Sequence, residues 1–210
     1  MLRVLVFISA VLSLMLLSLI YNAMPNGPTL SPAPVAGAAI VGASTAPSSA
    51  VARLDLTVVT GGMIGHNEFP AFVPSDFTLP ANATVMISVT NFDDATALPK
   101  GSEQYAHVTG TLGVVAHVTP ITASDPNGSA GPTRTISALD PADVSHTFTI
   151  PALGINVPIA AHARETFVIH TGSPGRYAWR CFDPCGADPL GWGTAMAARR
   201  GFMQGTLTVA

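Results

Sequence analysis

Asp143 to Cys181 reads DVSHTFTIPALGINVPIAAHARETFVIHTGSPGRYAWRC, and this stretch decides the fold. Runs of Val, Thr, Phe and Ile are cut by Pro-Ala-Leu-Gly and by Ser-Pro-Gly. β-Branched and aromatic residues held between such turn residues are the mark of strands, not of helices. The runs are Val144 to Ile150, the apolar segment after Gly154, the segment from Glu165, and a last one passing Tyr177 and Trp179 to Cys181. Alternation sets Phe167 and Ile169 on one face of their strand and Tyr177 and Trp179 on one face of the next. His162 and His170 fall at segment ends, where exposure is expected. Strands at this spacing with turn punctuation predict an all-β, antiparallel sandwich.

Moving toward the C-terminus, Tyr177 to Val209 holds both cysteines, both tryptophans and two of the seven methionines. Cys181 and Cys185 lie on a loop between the Trp179 strand and an apolar run from Phe202 to Val209. Two thiols on a loop pinned at both ends suit a soft metal such as copper, or they close on each other as a disulfide. Closing so short a loop adds about 2 kcal/mol or less by chain entropy, though it fixes the loop's shape.

Upstream, Leu54 to Thr60, Phe77 to Leu79 and Thr84 to Thr90 are strand-like, with Pro80, Ala81 and Asn82 turning between the last two. His66 sits in a glycine-flanked loop with no spacing that marks it as a ligand. From Ala95 to Asp140 the pattern weakens into Gly, Ser, Pro and Thr clusters around a strand pair, Tyr105 to Thr109 and Gly113 to Thr119. His107 and His117 fall on that pair and would face each other across a hairpin, but two histidines without a nearby thiol or carboxylate make a weak site.

Met1 to Tyr21 carries Arg3 and then an unbroken apolar run, close to the ~20 residues that a helix needs to span a bilayer. The residues after it make a poor small-x-small cleavage site, so of the two readings of residues 1–22, transmembrane anchor or cleaved signal segment, the anchor is favoured. Arg3 keeps the N-terminus cytoplasmic and places the rest on the extracytoplasmic side, periplasmic or at the cell surface. Residues 23–52 are a Pro/Ala/Ser-rich tether, and the domain occupies residues 53–210 with the insertion at about 95–140. An exported domain sits where disulfides persist. A net charge of −3 with nine Lys plus Arg supplies no basic surface for nucleic acid. No Gly-x-Ser-x-Gly, paired-carboxylate or His-Glu-x-x-His pattern marks a hydrolase.

His146 in DVSHTFTIPALGI, the ETF run, the SPGRY turn, Cys181-x-x-x-Cys185-Gly186 and Met203 before a last strand together resemble the copper-A domain of cytochrome oxidase subunit two. The likeness runs over residues 144–186 and 203–209, and more loosely over 54–94. It implies a cupredoxin-like Greek-key β-sandwich behind the N-terminal helix. It also implies a ligand set: Cys181 and Cys185 as bridging thiolates, His146 as imidazole, the Asp183 carbonyl and the Met203 thioether. Thiolate, imidazole and thioether suit copper. The chain departs from the family at the second histidine, where Pro189 stands when counted from Cys185 and Arg200 when counted back from Met203. It departs again in its longer Gly186 to Phe202 loop and in the insertion.

Two functions follow as expectations. One is copper binding with electron transfer to a redox protein partner, with no oxygen-reducing chemistry of its own. The other is a metal-free interaction module, closed by a Cys181–Cys185 disulfide, whose long loop offers Trp192, Met196 and the Arg199-Arg200 pair.

Overall fold

The structure is a computed structural model and describes residues 51–65, 70–183 and 202–210. The expected anchor, nearly all of the tether, His66, Cys185, Pro189, Trp192, Met196 and the arginine pair lie outside the described residues. Among the described residues no helix is long and apolar enough to cross a membrane.

The described residues are all-β, with short 3-10 turns between strands. The strands are β1 (Ala52–Val59), β2 (Ala71–Val73), β3 (Phe77–Leu79), β4 (Thr84–Asn91), β5 (Ala116–Pro120), β6 (Arg134–Ile136), β7 (Val144–Ile150), β8 (Ile155–Ala160), β9 (Ala163–His170), β10 (Gly175–Arg180) and β11 (Gln204–Val209). They form a six-stranded sheet in the order β2-β1-β4-β9-β5-β6 and a five-stranded sheet in the order β3-β11-β10-β7-β8. The alternating sequences fall as expected, with β4 and β9 each burying every second residue.

Two expectations need correction. The sandwich is mixed, because β1 runs parallel to β4 and β11 parallel to β3. β3 belongs to the opposite sheet, so the chain leaves β1, crosses over and comes back to β4 in the same direction, as a parallel pair requires. The second correction concerns the insertion. Tyr105 to Thr109 is not a strand: Glu103–Ala106 forms a 3-10 turn, and His107 and Thr109 make only single bridges, to Ala138 and Asn156. His117 lies on β5 opposite Thr135 and Thr166, so the two histidines do not face each other.

An aromatic group forms the floor of the core. Trp179 meets Phe72 edge-on at 5.0 Å and Phe148 at 5.7 Å, and Phe148 meets Phe167 at 5.9 Å. The Trp179 indole N–H donates to the Ser75 carbonyl at 2.7 Å, which ties the β2–β3 connection to β10. Only glycine fits at position 205 beside this contact, because a Cβ there would stand 2.7 Å from the indole nitrogen.

β7 is the strand on which the site is built. Every residue of it is buried, on both faces. Phe148 points into the core, while the alternate residues Thr147 and Thr149 point outward, as they would on a wetted sheet face. Both are buried and hydrogen-bonded, Thr147 to the Phe182 N–H and Thr149 to Asn156, whose amide reaches the Tyr105 and His107 carbonyls of the insertion. A β-bulge at Ser145 breaks the pairing with β8 between Val144 and His146, and such an extra residue re-aims the side chains beside it.

Candidate metal centre

His146 follows the bulge and is fully buried. Its ring packs edge-on to Phe72 at 6.2 Å, and Nε2 lies 3.1 Å from Oδ2 of Asp93, which follows the end of β4. A buried imidazole needs a polar partner, and this carboxylate supplies one. Burial by itself would lower the basicity of His146. Hydrogen bonding with Asp93 and Cys181, and the negative charge of both, outweigh burial and raise the imidazole pKa to about 9. Asp93 responds in the opposite sense: burial would raise its pKa, but the hydrogen bond and charge of His146 hold it below the usual carboxylate range.

Cys181, just beyond β10, is buried next to this pair. Its sulfur accepts the Thr147 backbone N–H at 3.2 Å and the Asp183 backbone N–H at 3.4 Å. Two donors aimed at one sulfur complement its thiolate form. The Asp183 carbonyl oxygen lies 4.0 Å from the same sulfur. Met203 is buried immediately before β11, and its carbonyl accepts the Cys181 N–H at 2.9 Å. Four of the five residues expected as ligands, His146, Cys181, Asp183 and Met203, are therefore described and lie at one buried end of the five-stranded sheet. The fifth, Cys185, lies outside the described residues. His107 and His117 are exposed, and His117 hydrogen-bonds Thr135.

The Asp183 side chain is buried, and neither carboxylate oxygen has a hydrogen-bond partner. Burial raises its pKa to about 8, the negative charges of Cys181 and Asp93 add to this, and His146 opposes it. Among the described residues, no three His, Cys, Asp or Glu side chains converge to hold a metal ion. The carboxylates of Asp93 and Asp183 thus do not complete a ligand group with His146 and Cys181. The donors that remain are imidazole, thiolate sulfur, thioether and carbonyl, and as a set they fit copper in kind.

Sequence reasoning missed Asp93, three residues beyond the strand-like run Thr84 to Thr90. The signal was nonetheless present. A histidine within a strand buried on both faces demands a partner, and Asp93-Asp94 is the acidic pair next to a strand end. It also missed the polar residues of the outward face, Thr147 and Thr149, because alternation alone marks them as solvent-facing.

No protein-family model matches the chain, and no curated protein matches it. Among solved structures it is similar to a dithionite-reduced auracyanin from Roseiflexus castenholzii, at 18% identity over 77% of this chain and 98% of that one, with a TM-score of 0.36. It is similar to auracyanin A, a "blue" copper protein from Chloroflexus aurantiacus, at 15% identity over 75% and 98%, with a TM-score of 0.35. A chain of a haem-copper terminal oxidase dimer matches at 15% identity over 99% and 98%, with a TM-score of 0.34. TM-scores this low set no residue-by-residue correspondence.

Proposed function

We propose that this chain is a cupredoxin-like, membrane-anchored extracytoplasmic protein that holds copper and passes electrons to or from a redox protein partner. The observation that carries the reading is the burial of His146 beside Cys181, with Asp93 on the imidazole and two backbone N–H groups on the sulfur. Cys181, His146 and Met203 would hold the metal, together with Cys185 and the Asp183 carbonyl. With Nε2 engaged by Asp93, Nδ1 is the nitrogen that would hold the metal in place of its proton, in the pattern by which a carboxylate behind a ligating histidine fixes its tautomer. Copper bound there would supply a one-electron couple.

The protein's own part is to hold the ligands still and dry. Thr147 and Asp183 fix the sulfur through their N–H groups, Asp93 fixes the ring, and the Phe72–Trp179–Phe148 floor excludes water beneath them. Ligands fixed by surrounding contacts have little to rearrange when an electron moves. The apolar run of residues 1–22 supports the anchor and the extracytoplasmic placement.

The test is to add copper to the reduced full-length protein in detergent and record visible absorption and EPR. A thiolate-to-copper band in the wild type that is absent from Cys181→Ser is the expected result. A colourless protein, with no titratable thiol before reduction, would overturn the reading in favour of the disulfide-closed module.

A further inference from the structure

The insertion departs most from the resemblance, and the structure gives it work that sequence reasoning did not assign. The 3-10 turn Glu103–Ala106 carries Tyr105, whose ring reaches Phe182 beside Cys181. The Tyr105 ring stacks on Phe182 with centroids 4.4 Å apart and planes within 6°. Phe182 stands between Cys181 and Asp183, whose backbone N–H donates to the Cys181 sulfur. Arg180 places its guanidinium 5.8 Å from the centre of the same ring.

A second connection runs beneath the rings and is hydrogen-bonded throughout. The Phe182 N–H donates to Thr147 Oγ1 at 2.7 Å. The Thr147 and Thr149 hydroxyls share a hydrogen bond at 3.1 Å, and Thr149 Oγ1 donates to Asn156 Oδ1 at 2.6 Å. Asn156 then donates from Nδ2 to the carbonyls of Tyr105 and His107, at 3.0 and 2.7 Å. Thr147, Thr149 and Asn156 are all buried. Thr109 and Asn156 also exchange backbone hydrogen bonds at 2.8 and 3.1 Å. Gly110, at φ +70°, lets the insertion close on β8, since a Cβ there would stand 2.6 Å from the Gly154 carbonyl.

Such a chain is costly to bury unless each member is satisfied, and here its two ends are the insertion and the Phe182 backbone beside Cys181. We infer that the insertion is the positioning element of Cys181 and Phe182, acting through the Tyr105–Phe182 stack and through the Thr147–Thr149–Asn156 hydrogen bonds. Tyr105, Thr147, Thr149 and Asn156 are positioning residues: Tyr105 and Thr147 touch the ring and the backbone N–H of Phe182 beside the thiol, while Thr149 and Asn156 join Thr147 to the insertion. The functional meaning of that position rests on the copper reading, whereas the restraint itself does not.

The test uses the full-length, reduced, metal-free protein in a Cys185→Ser background, where alkylation of Cys181 by iodoacetamide follows loop opening. The sulfur displaces iodide, so the rate reports how often it is uncovered. Rates are compared under conditions in which urea titration shows each variant folded. Tyr105→Ala and Thr147→Val are each expected to raise the rate about tenfold or more, while Tyr105→Phe, which keeps the stack, stays within about twofold of the parent. If Tyr105→Ala does not fold, Thr147→Val decides alone. Rates within about twofold of the parent for every variant that folds would overturn the proposal.

A copper arm on the protein with both cysteines separates the two readings. A wild type that never colours, with thiol rates changed in the variants, removes the copper reading and leaves the positioning role standing. A wild type that colours, with variants unchanged in both EPR spectrum and thiol rate, does the reverse.

Discussion

Asp93 and Asp94 are neighbours in sequence, and each meets a histidine, yet the two pairs are physically unlike. Asp93 and His146 lie 3.1 Å apart with side chains 25% and 0% exposed. Asp94 and His162 are closer, at 2.7 Å, but are 90% and 52% exposed. The longer contact moves both of its partners' proton affinities, upward for His146 and downward for Asp93. Removal from water governs the strength of such a pair more than a few tenths of an ångström do, because water screens the exposed pair and side-chain entropy opposes it. A search by distance alone would rank these two sites in the wrong order.

The most direct way to break this comparison is Asp93→Asn. It removes one of the two groups that compensate the charge of buried His146, leaving only Cys181, and a destabilisation of about 2–3 kcal/mol is expected for the metal-free reduced protein at neutral pH. Urea unfolding measures this. A loss no larger than that of an exposed substitution would mean that burial does not amplify the pair.

Glu165 on β9 sharpens the comparison from the other side, because it is buried without a close cationic partner. Its Oε2 accepts the Ala160 N–H at 3.3 Å and its Oε1 has no partner. Burial raises its pKa from 4.5 to about 8, against the Ala160 hydrogen bond and the charge of Arg134. The folded state therefore keeps a proton that the unfolded chain releases, and stability should fall as pH rises from about 4.5 to about 8. Glu165→Gln should flatten that slope and gain on the order of 2 kcal/mol relative to wild type at pH 8, with little change at pH 5. Parallel slopes for the two proteins would show that Glu165 does not titrate in this range.

The smallest effect belongs to Asp94→Asn. Removing the exposed carboxylate should cost less than about 0.5 kcal/mol, and the cost should shrink further in high salt. A thermal melt that shifts as far as that of Asp93→Asn would erase the contrast.

The strands that close the sandwich were legible because alternation and turn residues are local: β3, β4, β7 and β9 lie where Pro, Gly and β-branched runs place them. His146 and Cys181 were singled out from their order in the chain, and the structure sets them beside each other. What escaped reading depends on segments far apart. The parallel pairing of β1 with β4 needs β3 to cross to the other sheet, and no run of residues announces that. Tyr105 looked like part of a strand because an aromatic beside small residues carries the same pattern whether it pairs in a sheet or stacks on a distant ring. Thr147 and Thr149 looked solvent-facing because polar residues at alternate positions do not reveal a covering segment.

The buried hydrogen bonds at His146 and Cys181 also imply an order of assembly. The His146–Asp93 contact spans 53 residues, and the contacts from β7 to Cys181 and Phe182 span 34 and 35. Contacts this distant carry the loop-closure cost of the whole intervening chain and form only as the sheets between them pair. A partly folded chain can thus contain most of its strands and still lack the arrangement around Cys181, so any probe of that arrangement also reports completion of the fold.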